Sequence, residues 1–538
     1  MNKRRFKFFS VMVLCLMLIL IAFCPIQAAN KERVFTYILD TEDQETADPQ
    51  MTTWAYTIPM NIFDGLVRAD TIAPGQSDLV PALAESWEIS DDGLVYTFYL
   101  RKGVKFHNGE ELKADDVLFT INRMMDPKTR ALNTDFYYAI KGSKACLDGK
   151  ADAVEGVKVL DDYTIEITLE EAYSPFLALL ASPPCAIYNR KATTEAGRDF
   201  GLIPEKTIGT GPFKLTSWTV NEEMTVETFD DYYRGRAKVD KMIGKIIPDS
   251  ATARMLFETA EIDVFDCDYA RSQIPYFVES KKWSKQVVSG PRVGTYYYHL
   301  NESIKPFDDV RVRKAMQYAI NRKSLLDKLY NAKGTIANGI MPKGLLGYNP
   351  DLEAIPYNPE KAKELLVEAG YPNGFDMEIA MISGITGTSP KCNEAVQAML
   401  TNIGVRVKIK QMDSAAYYGV RREGTLPMYV SDWSADFNDP DNFFYTFFSR
   451  KNTAARSFNY NNPEVQDEIE RARTIVDPKE RIALYQELER IIVHEDAAWI
   501  PLFTLDHLFV VQPKVKNFKV AWNGWSGMSY YGIEIIDK

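Results

Sequence analysis

The sequence is poor in the residues that most often carry catalysis or hold metal ions. It has four histidines and six cysteines in 538 residues, and no CxxC pair. His494-Glu495 is not part of an HExxH zinc motif, because Ala498 stands where the second histidine would be. GxSxG, SxxK and phosphate-loop patterns are missing as well. We therefore expect no catalytic residue, no metal site and no cofactor, and a secreted enzyme with an unrecognised site stays an alternative.

Long hydrophobic runs are also missing, except at the N-terminus. There, an apolar run from Phe8 to Phe23 follows four basic residues, Lys3, Arg4, Arg5 and Lys7. This pattern predicts a signal peptide over residues 1–28 and an exported, periplasmic protein. A retained anchor is an alternative, although a membrane span needs about 20 apolar residues. Lipid attachment at Cys24 is another, which would place the protein at the outer face of the cytoplasmic membrane.

Basic residues are fewer than acidic ones, and the chain carries a net charge of −11. A nucleic-acid-binding protein shows the opposite balance, so we expect no nucleic-acid partner. Four cysteines follow the predicted signal peptide: Cys146, Cys185, Cys267 and Cys392. Four cysteines allow three disulfide connectivities, and their spacing does not select one.

The rest of the chain has the composition of a large α/β protein. Two hairpins are predicted at 83–100 and 157–169, with turns at Asp91-Asp92-Gly93 and Asp161-Asp162. After residue 290, short strands at 377–382, 405–410 and 428–433 alternate with helices. The helix starts are predicted at Asp309, at Asn358-Pro359 and at Asp477-Pro478, and residues 59–68 are predicted to form a helix that leads into a turn.

One stretch combines aspartates with aromatic residues. Residues 431–444 read SDWSADFNDPDNFF and contain no lysine, arginine or histidine. Asp436 follows the predicted strand 428–433, and ligands of α/β sheets sit beyond the carboxyl ends of strands. A carboxylate in a closing cleft needs a positive partner, so we expect the ligand to bring an ammonium group to Asp436. Asp439 and Asp441 are expected to shape the turn, and Asp432 to face solvent. A calcium loop is excluded because Pro440 and Asp441 stand where an oxygen ligand and a glycine are needed.

Five stretches together resemble the solute-binding proteins of peptide and nickel ABC importers, solute-binding family 5. They are LAESWEISDDGLVYTFYLRKGVKFHNGEELKADDV, IGTGPFKL, YYYHLNESIKPFDDVRVRKAMQYAINR, YNPEKAKELLVEAGYPNGF and the acidic stretch above. The resemblance implies an α/β, two-lobed periplasmic-binding-protein-like fold of the class II type, with an extra strand-rich subdomain. It places lobe 1 at 29–62, 185–290 and 508–538, the inserted subdomain at 63–184, and lobe 2 at 291–507.

The resemblance also implies a function and a set of binding residues. The protein would capture short peptides in the cleft and deliver them to an ABC importer permease, as a monomer. A nickel chelate, an oligosaccharide or another amine is the alternative solute. In peptide-binding relatives, the aspartate of a W-x-x-D pattern holds the peptide ammonium, and here the pattern runs from Trp433 to Asp436. The other candidate ligand-binding residues are Phe437, Trp54, Tyr297 and Arg421.

Arg421 and two further residues, Trp522 and Trp525, each have two possible roles. Some relatives place an arginine three residues before the tryptophan to hold the peptide carboxylate, and this chain has Val430 there. Arg421 and Arg422 could reach a carboxylate instead, or could be a solvated basic pair. Trp522 and Trp525 could be ligand contacts or packing residues.

Overall fold

The computed structural model describes residues 32–384, 388–523 and 528–536. Within these ranges, no helix is both long enough and apolar enough to cross a membrane. The predicted signal peptide at 1–28, the candidate lipid site Cys24 and Trp525 lie outside the described residues.

The part of the chain that the structure describes contains twenty strands. They are β1 (Val34–Asp40), β2 (Val67–Ala73), β3 (Gln76–Pro81), β4 (Ala84–Ile89), β5 (Val95–Leu100), β6 (Val157–Asp161), β7 (Thr164–Thr168), β8 (Phe213–Thr219), β9 (Glu223–Thr228), β10 (Lys241–Ile246), β11 (Val264–Asp266), β12 (Val287–Pro291), β13 (Gly294–Leu300), β14 (Gly334–Ile336), β15 (Asp376–Ile382), β16 (Arg406–Met412), β17 (Met428–Ser434), β18 (Trp499–Val511), β19 (Val515–Lys516) and β20 (Glu534–Ile535).

The α-helices cover and flank these sheets. They are α1 (Pro59–Ile62), α2 (Ala114–Met125), α3 (Ser143–Leu147), α4 (Phe176–Leu180), α5 (Arg190–Ala196), α6 (Ser250–Glu258), α7 (Ile274–Glu279), α8 (Val310–Ala319), α9 (Arg322–Leu329), α10 (Pro359–Glu368), α11 (Thr388–Thr401), α12 (Ser414–Arg422), α13 (Asp441–Phe448), α14 (Pro463–Thr474) and α15 (Pro478–Arg490). A π-helical turn, Ile491–Glu495, follows α15.

The longest strand, β18, joins the two halves of the largest sheet. The order in this sheet is β17-β13-β18-β11-β1-β10-β9-β8, and β12 and β14 also pair with β18. The first part of β18 pairs with β13, and its last part pairs with β11 and β12. A four-stranded sheet, β4-β5-β7-β6, is separate from it.

The hydrophobic clusters follow the segments expected for lobes and subdomain. One cluster is built from residues between 66 and 187, together with Phe437. Two others draw on 35–63, 186–290 and 508–533. The remaining two are built almost wholly from 293–505. This division agrees with a two-lobed protein with an inserted unit, while the boundaries at 62, 184, 290 and 507 stay predictions.

Most helix starts lie where the capping residues predict them. Asp309, Asn358 and Asp477 each accept a hydrogen bond from a backbone N–H in the first turn of α8, α10 and α15. Both predicted hairpins are present as β4-β5 and β6-β7. The helix predicted over 59–68 is wrong in extent. Only α1 is helical, because the backbone becomes extended at Phe63 and Val67 already begins β2.

All four described cysteines, Cys146, Cys185, Cys267 and Cys392, are free and buried. None of the three disulfide connectivities left open by their spacing is therefore present.

Candidate functional site

The acidic stretch runs from the end of β17 into the start of α13. Residues 435–440 form the connection, so Asp436 lies just beyond the carboxyl end of its strand. The expectation for the backbone is therefore met. The four aspartates, however, have different environments, and only one of them has the properties of a receptor for a cationic ligand.

Asp439 has a cation from a distant helix. Its two carboxylate oxygens accept hydrogen bonds from the Arg481 guanidinium at 2.6 and 2.7 Å, and both side chains are buried. This is the bidentate geometry of a strong arginine–carboxylate pair. Asp439 is thus a structural residue, as predicted, and the arginine that neutralises it comes from α15.

Asp441 also lies beside an arginine from a distant helix. Its carboxylate lies 3.1 Å from Nε of Arg473 and accepts hydrogen bonds from the hydroxyls of Tyr173 and Tyr485 at 3.0 and 3.3 Å. The Tyr173 bond joins the inserted unit to the acidic stretch. Arginines 32 or more positions further along the chain thus supply Asp439 and Asp441 with the positive charge that residues 431–444 themselves lack.

Asp432 is half-buried on β17 rather than turned to solvent. Burial raises the pKa of its carboxyl group, and the nearby Arg292 opposes that rise. Its partner across the sheet is Tyr296 of β13. The expectation that Asp432 faces solvent is met only in part, since the side chain is half-buried.

Asp436 differs from the other three. One carboxylate oxygen accepts a hydrogen bond from the side-chain amide of Asn442 at 3.0 Å, and the Asp436 N–H donates to the carbonyl of that amide at 3.1 Å. Its backbone carbonyl accepts from Ser182 Oγ at 3.3 Å. Among the residues that the structure describes, no lysine, arginine or histidine forms an ion pair with it.

Asp436 combines access to solvent with surroundings that disfavour its negative charge. The side chain is accessible to solvent, yet the surrounding protein raises the pKa from its ordinary value of 3.8 to about 6. Loss of hydration is the main cause, and the negative charge of Asp135 adds to it. The Asn442 hydrogen bond and the charge of Arg456 act in the opposite direction. A cationic ligand group would stabilise the ionised form of this poorly hydrated carboxylate.

Trp433 lies next to Asp436 and shares its anchor. The indole N–H donates to the side-chain carbonyl of Asn442 at 3.0 Å. The ring packs edge-on against Phe447, and the Arg456 guanidinium lies 4.8 Å from its centre. The half-buried ring is thus fixed beside the carboxylate, and its role in lining a ligand pocket stays a prediction.

Two predicted aromatic contacts lie in the hydrophobic core instead. Phe437 is 7% exposed and packs into the cluster formed by residues 66–187. Tyr297 is 2% exposed, and its ring stacks on Trp499 at 3.9 Å. Both aromatic side chains satisfy the hydrophobic pattern of their segments. The contact of Tyr297 and Phe437 with a ligand stays a prediction.

Trp54 of the first segment stays a predicted ligand contact, and the structure places Tyr56 within the electrostatic influence of Asp436. Trp54 is half-buried, between Thr52 and α1. The Tyr56 hydroxyl accepts a hydrogen bond from Asn133, two residues before Asp135. Burial and the charge of Asp436 both raise the pKa of Tyr56. Only the three-dimensional structure brings Tyr56, Asp135 and Asp436 together, since no spacing in the sequence links them.

The two neighbouring basic residues Arg421 and Arg422 of α12 differ in their exposure to solvent. Arg422 is exposed, while Arg421 is half-buried with its guanidinium 4.9 Å above the ring of Tyr418. Burial lowers the pKa of Arg456, and the positive charge of Arg421 lowers it further. Arg456 was not found from the sequence because nothing in its surroundings marks it. Trp522, the other open candidate, is 8% exposed and packs in the core.

One group of side chains has the composition of a metal site. Oxygens of Asp266 and Asp268 and a ring nitrogen of His507 lie within 4.8 Å of one another. However, Asp268 is paired with both Arg271 and Arg292. These arginines already supply the positive charge that a metal ion would bring, so the group fits a structural ion network better than a metal centre.

The fold is that of a two-lobed solute-binding protein. Residues 78–455 match the family model described as bacterial extracellular solute-binding proteins, family 5 Middle. The chain belongs to this family. The resemblance and the fold expected from it are thereby confirmed, and the family is one of binding proteins rather than enzymes.

Curated relatives and solved structures agree with this family. The chain is 32% identical over 483 residues to heme-binding protein A of Haemophilus influenzae, covering 86% of this chain and 85% of that protein. It is 30% identical over 498 residues to the dipeptide-binding protein of Escherichia coli, covering 88% and 89%.

Two solved structures have the same fold along nearly the whole chain. One is the periplasmic binding protein DppA from Helicobacter pylori in complex with the peptide STSA, with a TM-score of 0.74, 30% identity and coverage of 95% of this chain and 100% of that one. The other is HbpA2 from Haemophilus parasuis, with a TM-score of 0.80, 28% identity and coverage of 94% and 100%.

Proposed function

We propose that this protein captures short peptides with a free N-terminal ammonium and delivers them to the permease of an ABC importer. The observation that carries the proposal is Asp436, an accessible carboxylate that is surrounded by protein and forms no ion pair with a cation of the described chain. A charge-assisted hydrogen bond to an ammonium contributes about 1.5–3 kcal/mol. The peptide-binding relatives and the STSA complex support this ligand class.

The site lies where three parts of the chain meet. Asp436 and Trp433 come from 291–507, Ser182 and Asp135 from 63–184, and Tyr56 from 29–62. We propose these ranges as lobe 2, the inserted subdomain and part of lobe 1, with 185–290 and 508–538 completing lobe 1. A ligand bound at Asp436 would then contact all three parts and favour their closure. Trp433 would form a wall of the pocket, and Trp54 is kept as a softer contact.

The role also requires export. We propose that the chain is made with a signal peptide at 1–28 and acts as a monomer outside the cytoplasm, with lipid attachment at Cys24 as the alternative. N-terminal sequencing of the exported protein should begin near Ala29. A lipid-modified Cys24 at the mature N-terminus would favour the membrane-attached form.

Calorimetry with tri-alanine tests the binding role. Asp436→Asn keeps the shape of the side chain and removes its charge. Losing one partner of a charge pair that is buried in a complex typically costs about 2–5 kcal/mol of binding free energy, or tens to thousands of fold in affinity. Asp351→Asn is a matched control, because Asp351 is exposed on a turn. Unchanged affinity of Asp436→Asn would make the carboxylate structural. Native mass spectrometry of the purified protein would show whether another solute is bound instead.

A further inference from the structure

Two segments from distant parts of the chain are joined by direct backbone contacts. One is 169–175, which connects β7 to α4, and the other is 473–477, at the end of α14. The backbone N–H of Ser174 donates to the carbonyl of Arg473 at 2.9 Å, and the Ser174 hydroxyl donates to the carbonyl of Ile475. Ser174 belongs to the proposed inserted subdomain and the two acceptors belong to the proposed lobe 2, so these hydrogen bonds cross between the two parts.

Side chains join the same two parts beside these hydrogen bonds. The Tyr173 hydroxyl donates to the carboxylate of Asp441 at 3.0 Å, and the Arg473 guanidinium lies 4.9 Å from the centre of the Tyr173 ring. Tyr173 is 8% exposed and Asp441 is buried, so solvent and salt screen this contact little. We call this group of residues the interlobe latch: Tyr173, Ser174, Asp441, Arg473 and Ile475.

The interlobe latch is built from groups that keep partners when it opens. The last carbonyls of a helix have no acceptor role within that helix, and those at the end of α14 accept from Ser174 instead. Water can take the place of such a donor at little cost. Asp441 also contacts Arg473 at 3.1 Å and the Tyr485 hydroxyl at 3.3 Å, and both belong to its own part of the chain. Its charge therefore stays paired when Tyr173 leaves, and the latch can form and break reversibly.

The interlobe latch lies beside the candidate site but contains none of the predicted ligand-binding residues. Asp441 directly precedes Asn442, whose side-chain amide donates to Asp436. The bond from Tyr173 to Asp441 thus reaches the same first turn of α13 that holds the proposed ammonium receptor. The hydrogen bond from Ser182 to the carbonyl of Asp436 crosses between the same two parts. Closure at the latch and closure at the site are therefore one movement.

We propose that the interlobe latch stabilises the closed arrangement of lobe 2 and the inserted subdomain whether or not a ligand is bound. When a protein exchanges between open and closed forms, a ligand that needs the closed form binds more tightly as that form becomes more populated. The latch would therefore raise the affinity for any ligand without touching it. This inference goes beyond the proposed function, because it depends on no particular ligand.

Small-angle scattering of the protein without peptide tests the latch directly. Tyr173→Phe removes the hydroxyl that binds Asp441 and keeps the ring, and Ser174→Ala removes the side-chain hydrogen bond to Ile475. Both single variants and the double variant would be compared with the parent, and Tyr357→Phe is the matched control because Tyr357 is exposed. Thermal melts would check that each variant is folded, and native mass spectrometry that no solute is bound.

Without peptide, the double variant should have a larger radius of gyration than the parent, and each single variant should lie between them. With saturating tri-alanine, parent and double variant should reach the same radius. Calorimetry should show that the double variant binds tri-alanine about tenfold more weakly than the parent, since a hydrogen bond to a charged group is lost from the closed form. Tyr357→Phe should match the parent in every measurement.

A residue that serves only the stability of the fold would lower the melting temperature and leave the radius unchanged. Equal radii of parent and double variant without peptide would therefore overturn the proposal. A radius that stays larger at saturating peptide would mean a loosened fold, and unchanged affinity beside a larger radius would break the link to binding, so both contradict it. If tri-alanine does not bind the parent, the peptide function is wrong, while the comparison without peptide still decides the latch.

Discussion

The side-chain amide of Asn442 donates to the carboxylate of Asp436, while its carbonyl accepts from the indole of Trp433. One buried asparagine in the first turn of α13 therefore fixes two residues of the candidate site. The orientation of the amide follows from these bonds, because its NH₂ must face the carboxylate and its oxygen must face the indole N–H. The start of α13 thus sets the distance between the proposed ammonium receptor and the aromatic wall.

Replacing Asn442 should weaken ligand binding without removing any ligand contact. In Asn442→Ala, Asp436 loses a hydrogen bond that lowers its pKa, and Trp433 loses the acceptor for its indole N–H. Hydrogen bonds to charged groups contribute about 1.5–3 kcal/mol, so a loss of about tenfold or more in tri-alanine affinity is expected. Calorimetry measures this, and indole fluorescence should report the freed Trp433. Affinity equal to that of the parent would show that Asp436 is positioned by the backbone alone.

Breaking the Asp439–Arg481 pair should affect stability much more than binding. Asp439→Asn leaves the buried Arg481 without its carboxylate, and such single replacements typically cost about 3–5 kcal/mol. Urea unfolding of the variant, beside the exposed control Asp351→Asn, measures the loss. Adding Arg481→Met to Asp439→Asn should recover part of it, because no unpaired charge then remains in the core. A variant as stable as the control would contradict the structural role.

The local structure of this protein was largely predictable from the sequence because it depends on short-range signals. The capping residues Asp309, Asn358 and Asp477 mark helix starts that the structure confirms. The strand before Asp436 and the turn after it are likewise present. In contrast, the partners of Asp439 and Asp441 could not be predicted, since Arg481 and Arg473 lie on helices far along the chain.

The same limit explains the residues that sequence reasoning missed and the burial that it did not foresee. The pattern around Tyr297 and Phe437 predicts ligand contacts, but an aromatic residue in a strand or turn can equally complete a core, and both rings are buried. Tyr56, Asp135 and Arg456 meet Asp436 only through tertiary structure. The resemblance to the family was enough to predict the fold. The charged groups around the candidate site could be identified only from the three-dimensional structure.

Ligand binding should make the protein more compact. The chain passes between the proposed lobes through β13 and β18, and an ammonium at Asp436 would bring the surrounding segments together. Small-angle scattering should show a smaller radius of gyration with saturating tri-alanine than without it. Asp436→Asn at the same peptide concentration is the control and should stay unchanged. An unchanged radius in the saturated parent would argue against closure around the ligand.

Asp436 should make the ligand-free protein less stable at neutral pH than it would be without the charge. Its pKa is about 6 in the folded protein against an ordinary 3.8, so between these values the folded state binds more protons than the unfolded state. The free energy of unfolding therefore falls as pH rises through this window, and the cost is fully present above about pH 6. Asp436→Asn should melt at a higher temperature than the parent at pH 7.5, and this gain should shrink towards pH 4.5.

Peptide affinity should have the opposite dependence on pH. The ammonium needs an ionised Asp436, while a peptide α-amino group, with a pKa of about 8, keeps its charge throughout. Binding of tri-alanine to the parent should thus weaken as pH falls from 7 to 5. Asp135, whose pKa is also raised by burial, is still present in Asp436→Asn, so the difference between parent and variant reports the effect of Asp436 alone.

Melting curves from pH 4.5 to 8 check the predicted dependence of stability on pH, and calorimetry over the same range checks that of peptide affinity. A stability gain that is the same at every pH would show that the charge of Asp436 is not its cause.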